Sequence, residues 1–300
     1  KDGRGDTHTF KTAWGGAGTP VKAWKYSGAG NSFVVLDGRS SDCSGYREAQ
    51  RISALCSAHS TDGLMILSPA EGLDFRMEYF NSAGSGGMMC GNGGRCIVAF
   101  ADQLGIEPAE PGRYSFVAAD GLHTAVVTER NGALKTVSLR MKDVKGAVRY
   151  PCLDPIEGVS GWFLDTGTRH FVIFVPDVEA VDVEELGSRV RHHPAFLPQG
   201  VNVNFVQPTS FGIKLRTFEK GVEAETLACG TGIVASALAA YVSEAAPAVS
   251  IRMGGLRNYN YCVQARRDEL SVDFNTGLEG WLASDVHLTG PAELVEEREI

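Results

Sequence analysis

Two cysteines stand in matched company. Cys90 opens the run Cys90-Gly91-Asn92-Gly93-Gly94 and Cys229 opens Cys229-Gly230-Thr231-Gly232, and each run leads into mostly apolar residues. That pattern reads as the start of a buried helix whose first-turn glycines permit close approach. A thiol at a helix N-terminus feels the positive end of the macrodipole, which lowers its pKa and makes it a competent base. The same terminus offers unpaired backbone N–H groups, from Gly91 and Asn92 and from Gly230 and Thr231, suited to a carboxylate. If two such ends face one another, a sulfur lies on each side of one α-carbon. A proton then leaves one face while another arrives on the opposite face, which inverts the centre with no cofactor.

The remaining cysteines lack this setting. Cys43, Cys56, Cys152 and Cys262 read as small inert hydrophobes, and Cys96, six residues past Cys90, falls about 240° round a helix and points away. Seven cysteines, an odd number spread over 300 residues, read as free thiols of a cytoplasmic protein rather than a disulfide framework. No CxxC or HxxxH spacing occurs, so no metal site is expected. A reversible disulfide switch or a non-catalytic binding protein is the alternative from another class, but a switch has no need of two anion-binding helix ends. The glycine runs follow cysteines, with no GxGxxG after a strand and no Walker lysine, which argues against nucleotide binding.

The elements that position the two thiols repeat. Cys90 and Cys229 are 139 residues apart, Phe80 and Phe218 are 138 apart, and Phe33 and Phe171 are 138 apart. "DGLMIL" from Asp62 matches "VNVNFV" from Val201 at an offset of 139. Four segments at nearly one offset, in one order, indicate a duplicated unit of about 130 residues. Each copy reads as short β-branched strands separated by turns, then one strong helix. The segment "GTGIVASALAAYV" is apolar or small on nearly every face, and a helix of that kind is buried all round. The expected fold is therefore α+β, with two pseudo-symmetric domains, each a β-sheet or barrel wrapped around a central helix.

Composition narrows the partner. A net charge of -8 argues against nucleic acid or an anionic membrane, and no apolar run approaches the roughly 20 residues of a membrane helix. A small molecule is the expected ligand. Residues 1–20 lack a signal-peptide core and fit a flexible arm or an expression remnant, in which Arg4-Gly5-Asp6 is a chance match to an adhesion tripeptide.

From Val21 onward the chain resembles the diaminopimelate epimerases. The resemblance is carried by "GAGNSFVVLD", "FNSAGSGGMMCGNGGRC", "GTRHFV", "VNVNFVQ", "EKGVEAETLACGTG" and "LTGPAELV", which span nearly the whole chain in the family's order. Related proline racemases and hydroxyproline epimerases usually carry histidine where this chain has Asn92. The resemblance implies epimerisation of LL- to meso-diaminopimelate in lysine and peptidoglycan-precursor synthesis, free of pyridoxal, by a cytoplasmic homodimer. It implies domains over 21–140 with 285–300 and over 141–284, and a site in the cleft between them. It makes Cys90 and Cys229 the acid/base pair. Asn31, Asn81 and Asn202 then hydrogen-bond substrate, Gly91-Asn92 and Gly230-Thr231 cradle its carboxylate, and His170 and Glu219 flank the thiols. Ser32 replaces a common aspartate and Arg169 a proline. Thr168 replaces an asparagine and Lys220 the arginine that clamps the distal carboxylate. Lysine is a point charge rather than a bidentate fork, so the distal group is what these changes open, and another amino-acid racemase is the alternative enzyme.

Overall fold

The computed structural model describes residues 20–227 and 229–300. The expected arm, Arg4-Gly5-Asp6 included, lies outside the described residues except for Pro20. Four α-helices occur among them: α1 (Ala49–His59), α2 (Gly91–Gln103), α3 (Val183–Arg191) and α4 (Gly230–Ser243).

Alternating strands close around each of the two apolar helices. Strands Lys22–Gly28, Asn31–Asp37, Gly63–Ser68, Phe75–Asn81, Tyr114–Ala118, Gly121–Asn131 and Leu134–Arg140 pair in chain order, and Ser284–Glu299 joins the last of them to the first. The result is a closed barrel. Its strands bury alternate residues, as in Tyr114, Phe116 and Ala118, while α2 fills the middle with Asn92 to Ala101 all buried. Trp24 packs on Phe100 at 4.9 Å between ring centroids.

The second half repeats the plan. Strands Ala147–Tyr150, Gly161–Asp165, Arg169–Phe174, Asn202–Pro208, Gly212–Glu219, Leu256–Gln264 and Glu269–Thr276 lead to the same terminal strand. This ring closes through the isolated bridge between Val144 and Ala283. Helix α4 fills it, buried from Gly232 to Ala240. The terminal strand serves both rings: Ser284 to Thr289 pair with the second ring's Glu269–Thr276, and Glu293 to Glu299 pair with the first ring's Lys22–Gly28.

The structure corrects two details of the repeat. Each half holds two helices rather than one. Asn31–Asp37 runs parallel to Gly63–Ser68, and Arg169–Phe174 runs parallel to Asn202–Pro208. A parallel pair cannot be joined by a hairpin, so a crossover connection is required, and α1 and α3 supply it. Both are amphipathic, burying Ile52 and Cys56 in α1 and Val183, Gly187 and Val190 in α3. Second, Phe33 pairs with Gly63 while Phe171 pairs with Val203, so that segment matches at an offset of 140, one residue beyond the sequence match.

Candidate active site

The two filled rings bring their helix N-termini together. Cys90 and Cys229 are the N-cap residues of α2 and α4, with near-identical extended backbones at φ -123° and -127°. A side-chain carbon placed on Gly91 would lie 4.0 Å from the Gly230 Cα, so the first turns meet head-on. Both cysteines are half-buried. Each helix leaves its first N–H groups outside the helical ladder, which begins with the bonds from Gly94 to Cys90 and from Ile233 to Cys229.

In each half, the residue leaving a β-turn reaches the residue two places past the cysteine. In the first half Ala29 and Gly30 both have positive φ, at 49° and 104°, forming the hairpin turn that delivers Asn31. A Cβ on Gly30 would lie 2.6 Å from that of Leu227, so the turn presses on the approach to Cys229. Asn92 donates from Nδ2 to Asn31 Oδ1 at 2.6 Å. In the second half Thr168 leaves the turn around Gly167, and its hydroxyl is 2.8 Å from that of Thr231. One amide pair and one hydroxyl pair thus occupy matching places.

The other expected residues differ in what their side chains already hold. His170 is fully buried beneath this hydroxyl pair, its Nε2 2.8 Å from Thr231 Oγ1 and 2.9 Å from Thr168 Oγ1. Asn81 accepts at Oδ1 from the amides of Ala83 and Ser85, and so shapes the loop leading to Cys90. Asn202 donates to the Arg169 carbonyl at 3.1 Å and accepts from the Lys220 amide at 2.8 Å, tying two strand ends together. Glu219, at the end of its strand, is half-buried, while Lys220 and Thr168 are exposed. Arg169, in the place of the usual proline, donates to the carbonyls of Gly200 and Phe196.

Burial overturns the expected thiol acidity. It pushes the Cys229 thiol up to about 11, the charge of Glu219 adds to this, and the Thr231 hydroxyl and the Gly232 amide pull the other way. Cys90 is raised for the same reason, against the opposing pull of the Gly93 and Asn92 amides and Arg95. The helix ends therefore offset only part of the desolvation cost, and both thiols are held toward the protonated form. Burial also raises the Glu219 carboxyl and holds His170 down to about 3, so the imidazole is neutral. Cys96 is buried in the first barrel against Gly28 and pushed up to about 12, chiefly by burial.

Three polar residues escaped the sequence reading. Asn204 and Thr217 are buried behind His170, and Arg95 is fully buried in α2. Arg95 donates from Nη2 to Asn92 Oδ1 at 2.8 Å, so the asparagine that orients Asn31 is itself oriented. The available signal was a polar residue interrupting an apolar run, as Asn204 does in "VNVNFV" and Arg95 in "GGRCIVAF".

A family model for diaminopimelate epimerase matches residues 23–142 and 162–277. The chain belongs to the diaminopimelate epimerase family. Among its relatives, the diaminopimelate epimerase of Flavobacterium psychrophilum is 36% identical over 286 residues, covering 93% of this chain and 100% of the relative. That of Aquifex aeolicus is 38% identical over 291 residues, covering 92% and 99%. The fold extends beyond the family. A phenazine biosynthesis protein of the PhzF family from Bacillus anthracis superposes with a TM-score of 0.67 at 12% identity, covering 94% of this chain and 99% of that one. Among the described residues no helix is long and apolar enough to cross a membrane.

Proposed function

We propose that this member of the family interconverts LL- and meso-2,6-diaminopimelate without a cofactor, with Cys90 and Cys229 as the acid/base pair. The observation that carries this reading is the head-on meeting of two helix N-termini, each begun by a half-buried cysteine. The reacting carboxylate takes the first-turn amides of Gly91-Asn92 and Gly230-Thr231, which places the α-carbon between the sulfurs. One sulfur, as thiolate, removes the α-proton. The electron pair moves toward the carboxylate, where the amides stabilise it, and the other thiol delivers its proton to the opposite face. The sulfurs leave the step with exchanged protonation states.

The resting thiols are raised by burial and, secondarily, by Glu219, so the substrate must help to create the thiolate. An ammonium group seated beside Glu219 brings a positive charge to the site and offsets the cost of a buried thiolate. Asn31, Asn81 and Asn202 each keep a side-chain N–H for the ligand beyond their bonds to the chain. Thr168 and Lys220, both exposed, are the candidates for the distal amino-acid group. The same reading makes the protein a cytoplasmic biosynthetic homodimer.

The test is α-proton exchange in D2O with LL-diaminopimelate beside lysine, histidine and proline. Diaminopimelate is expected to exchange fastest. Lysine, which lacks the distal carboxylate, should lose on the order of a hundredfold in kcat/KM, because site groups built for the missing group are left unpaired. Faster exchange of a monocarboxylate would make the protein a racemase of that amino acid, and no exchange of any of them would remove the enzyme reading.

A further inference from the structure

A line of polar side chains runs from the core of the second ring to the Cys229 sulfur. Thr217 Oγ1 donates to Asn204 Oδ1 at 2.9 Å, and Asn204 Nδ2 lies 2.9 Å from His170 Nδ1. His170 Nε2 then meets the paired hydroxyls of Thr168 and Thr231, and Thr231 Oγ1 is 3.5 Å from Cys229 Sγ. Asn204 and His170 have no exposed surface, and Thr217 is 2% exposed, so water does not compete for the bonds among these three.

The donor inventory gives the line a direction. In the structure Thr217 Oγ1 donates to the amide oxygen of Asn204 and the amide nitrogen faces the imidazole. An NH2 group only donates, so Nδ1 must accept, and the single proton of a neutral ring sits on Nε2. That N–H donates into the hydroxyl pair. A threonine oxygen occupied as acceptor has its own hydrogen free to turn toward the sulfur.

We propose that Asn204 is a positioning residue that locks His170 as the Nε2–H tautomer and so makes the Thr231 hydroxyl a hydrogen-bond donor to Cys229. This rests on the reading of Cys229 as an acid/base thiol, since a donor at that distance favours the thiolate. Gly232 is part of the device. A Cβ there would lie 2.5 Å from Asn204 Oδ1 and 3.1 Å from His170 Cε1, so glycine lets the helix pass close over the pair. Among the described residues no equivalent line serves Cys90, where Asn92 is engaged by Arg95 and Asn31.

Two measurements that do not depend on turnover test the lock. In protein labelled with 15N-histidine, the His170 ring is expected to show a protonated Nε2 and a bare Nδ1. In Asn204→Asp the carboxylate accepts instead of donating, and the proton is expected on Nδ1. Cys229 is then titrated by iodoacetamide alkylation, followed by peptide mass mapping. Asn204→Asp and Thr231→Val should each move its alkylation midpoint upward by about one pH unit, a roughly tenfold loss of thiolate at a given pH. The aspartate also adds a negative charge, so the double variant is decisive: a shift routed through Thr231 does not add to the Thr231→Val shift. A wild-type ring protonated on Nδ1, or fully additive shifts, would overturn the proposal. Should the α-proton exchange assay fail instead, the ring spectrum and the thiol titration still decide the lock.

Discussion

A thiol at a helix end is pulled two ways, by amides and dipole toward the thiolate and by desolvation toward the thiol. In this site desolvation wins, and the Cys229 thiol stands at about 11. Inversion still needs one acid and one base on opposite faces, so Cys90→Ser and Cys229→Ser are each expected to lower epimerisation by about a hundredfold or more. Cys96→Ser, altering a sulfur buried against Gly28, should leave it largely intact. Near-wild-type turnover in both active-site variants would sink the two-thiol mechanism. His170 supports a second prediction. Its folded pKa of about 3 lies below the ordinary 6.5 because of burial. The unfolded chain therefore takes up a proton below 6.5 that the folded chain refuses down to about 3. Stability is complete above that window and falls as pH drops through it, by about 1.4 kcal/mol per pH unit from this group. Urea unfolding at pH 7 and pH 4.5 should show wild type losing about 2 to 3 kcal/mol more than His170→Gln, which does not titrate. Equal losses would mean that the ring is solvated.

At the scale of elements, the fit of α4 into its ring sets up a contest between propensity and packing. Alanine at position 232 is favoured over glycine by about 1 kcal/mol as a helix residue. Against this, its Cβ would collide with Asn204 and His170, and overpacking a core costs about 1 to 3 kcal/mol. Packing is expected to win: Gly232→Ala should lower Tm, and kcat should fall with it as His170 is displaced. A variant at once more stable and fully active would show that the buried pair can yield. Helices α2 and α4 were legible because each carries its own glycine-rich start and apolar run. Helices α1 and α3 carry a weaker local signal, an amphipathic face and, in α3, the Asp182 cap with acidic first and basic last turns; what local sequence does not contain is the parallel strand pairing that they bridge.

Across the whole molecule, two rings share one terminal strand, and their central helices meet end to end at the site. The cysteines cap helix ends whose first turns come into contact at Gly91 and Gly230. With no ligand between them, mild oxidation by diamide is expected to form a Cys90–Cys229 disulfide, with diamide reduced to its hydrazine, and dithiothreitol should restore activity. Peptide maps of oxidised, inactive protein in which both cysteines are free would contradict this facing arrangement.

The duplication, the two buried helices and the two thiols at their starts were determined by the sequence itself. Each of these is written in near neighbours: an apolar period, a glycine after a cysteine, a motif recurring at nearly constant spacing. Tertiary structure alone decided the ionisation of those thiols, because burial is a sum over segments that the local pattern does not contain. It also decided that Asn81 and Asn202 hold the backbone, that Asn204 and Thr217 stand behind His170, and that Arg95 stands behind Asn92. A side chain's hydrogen-bond partners are chosen by which strands and helices the fold brings within about 3 Å, and those contacts join residues far apart in sequence.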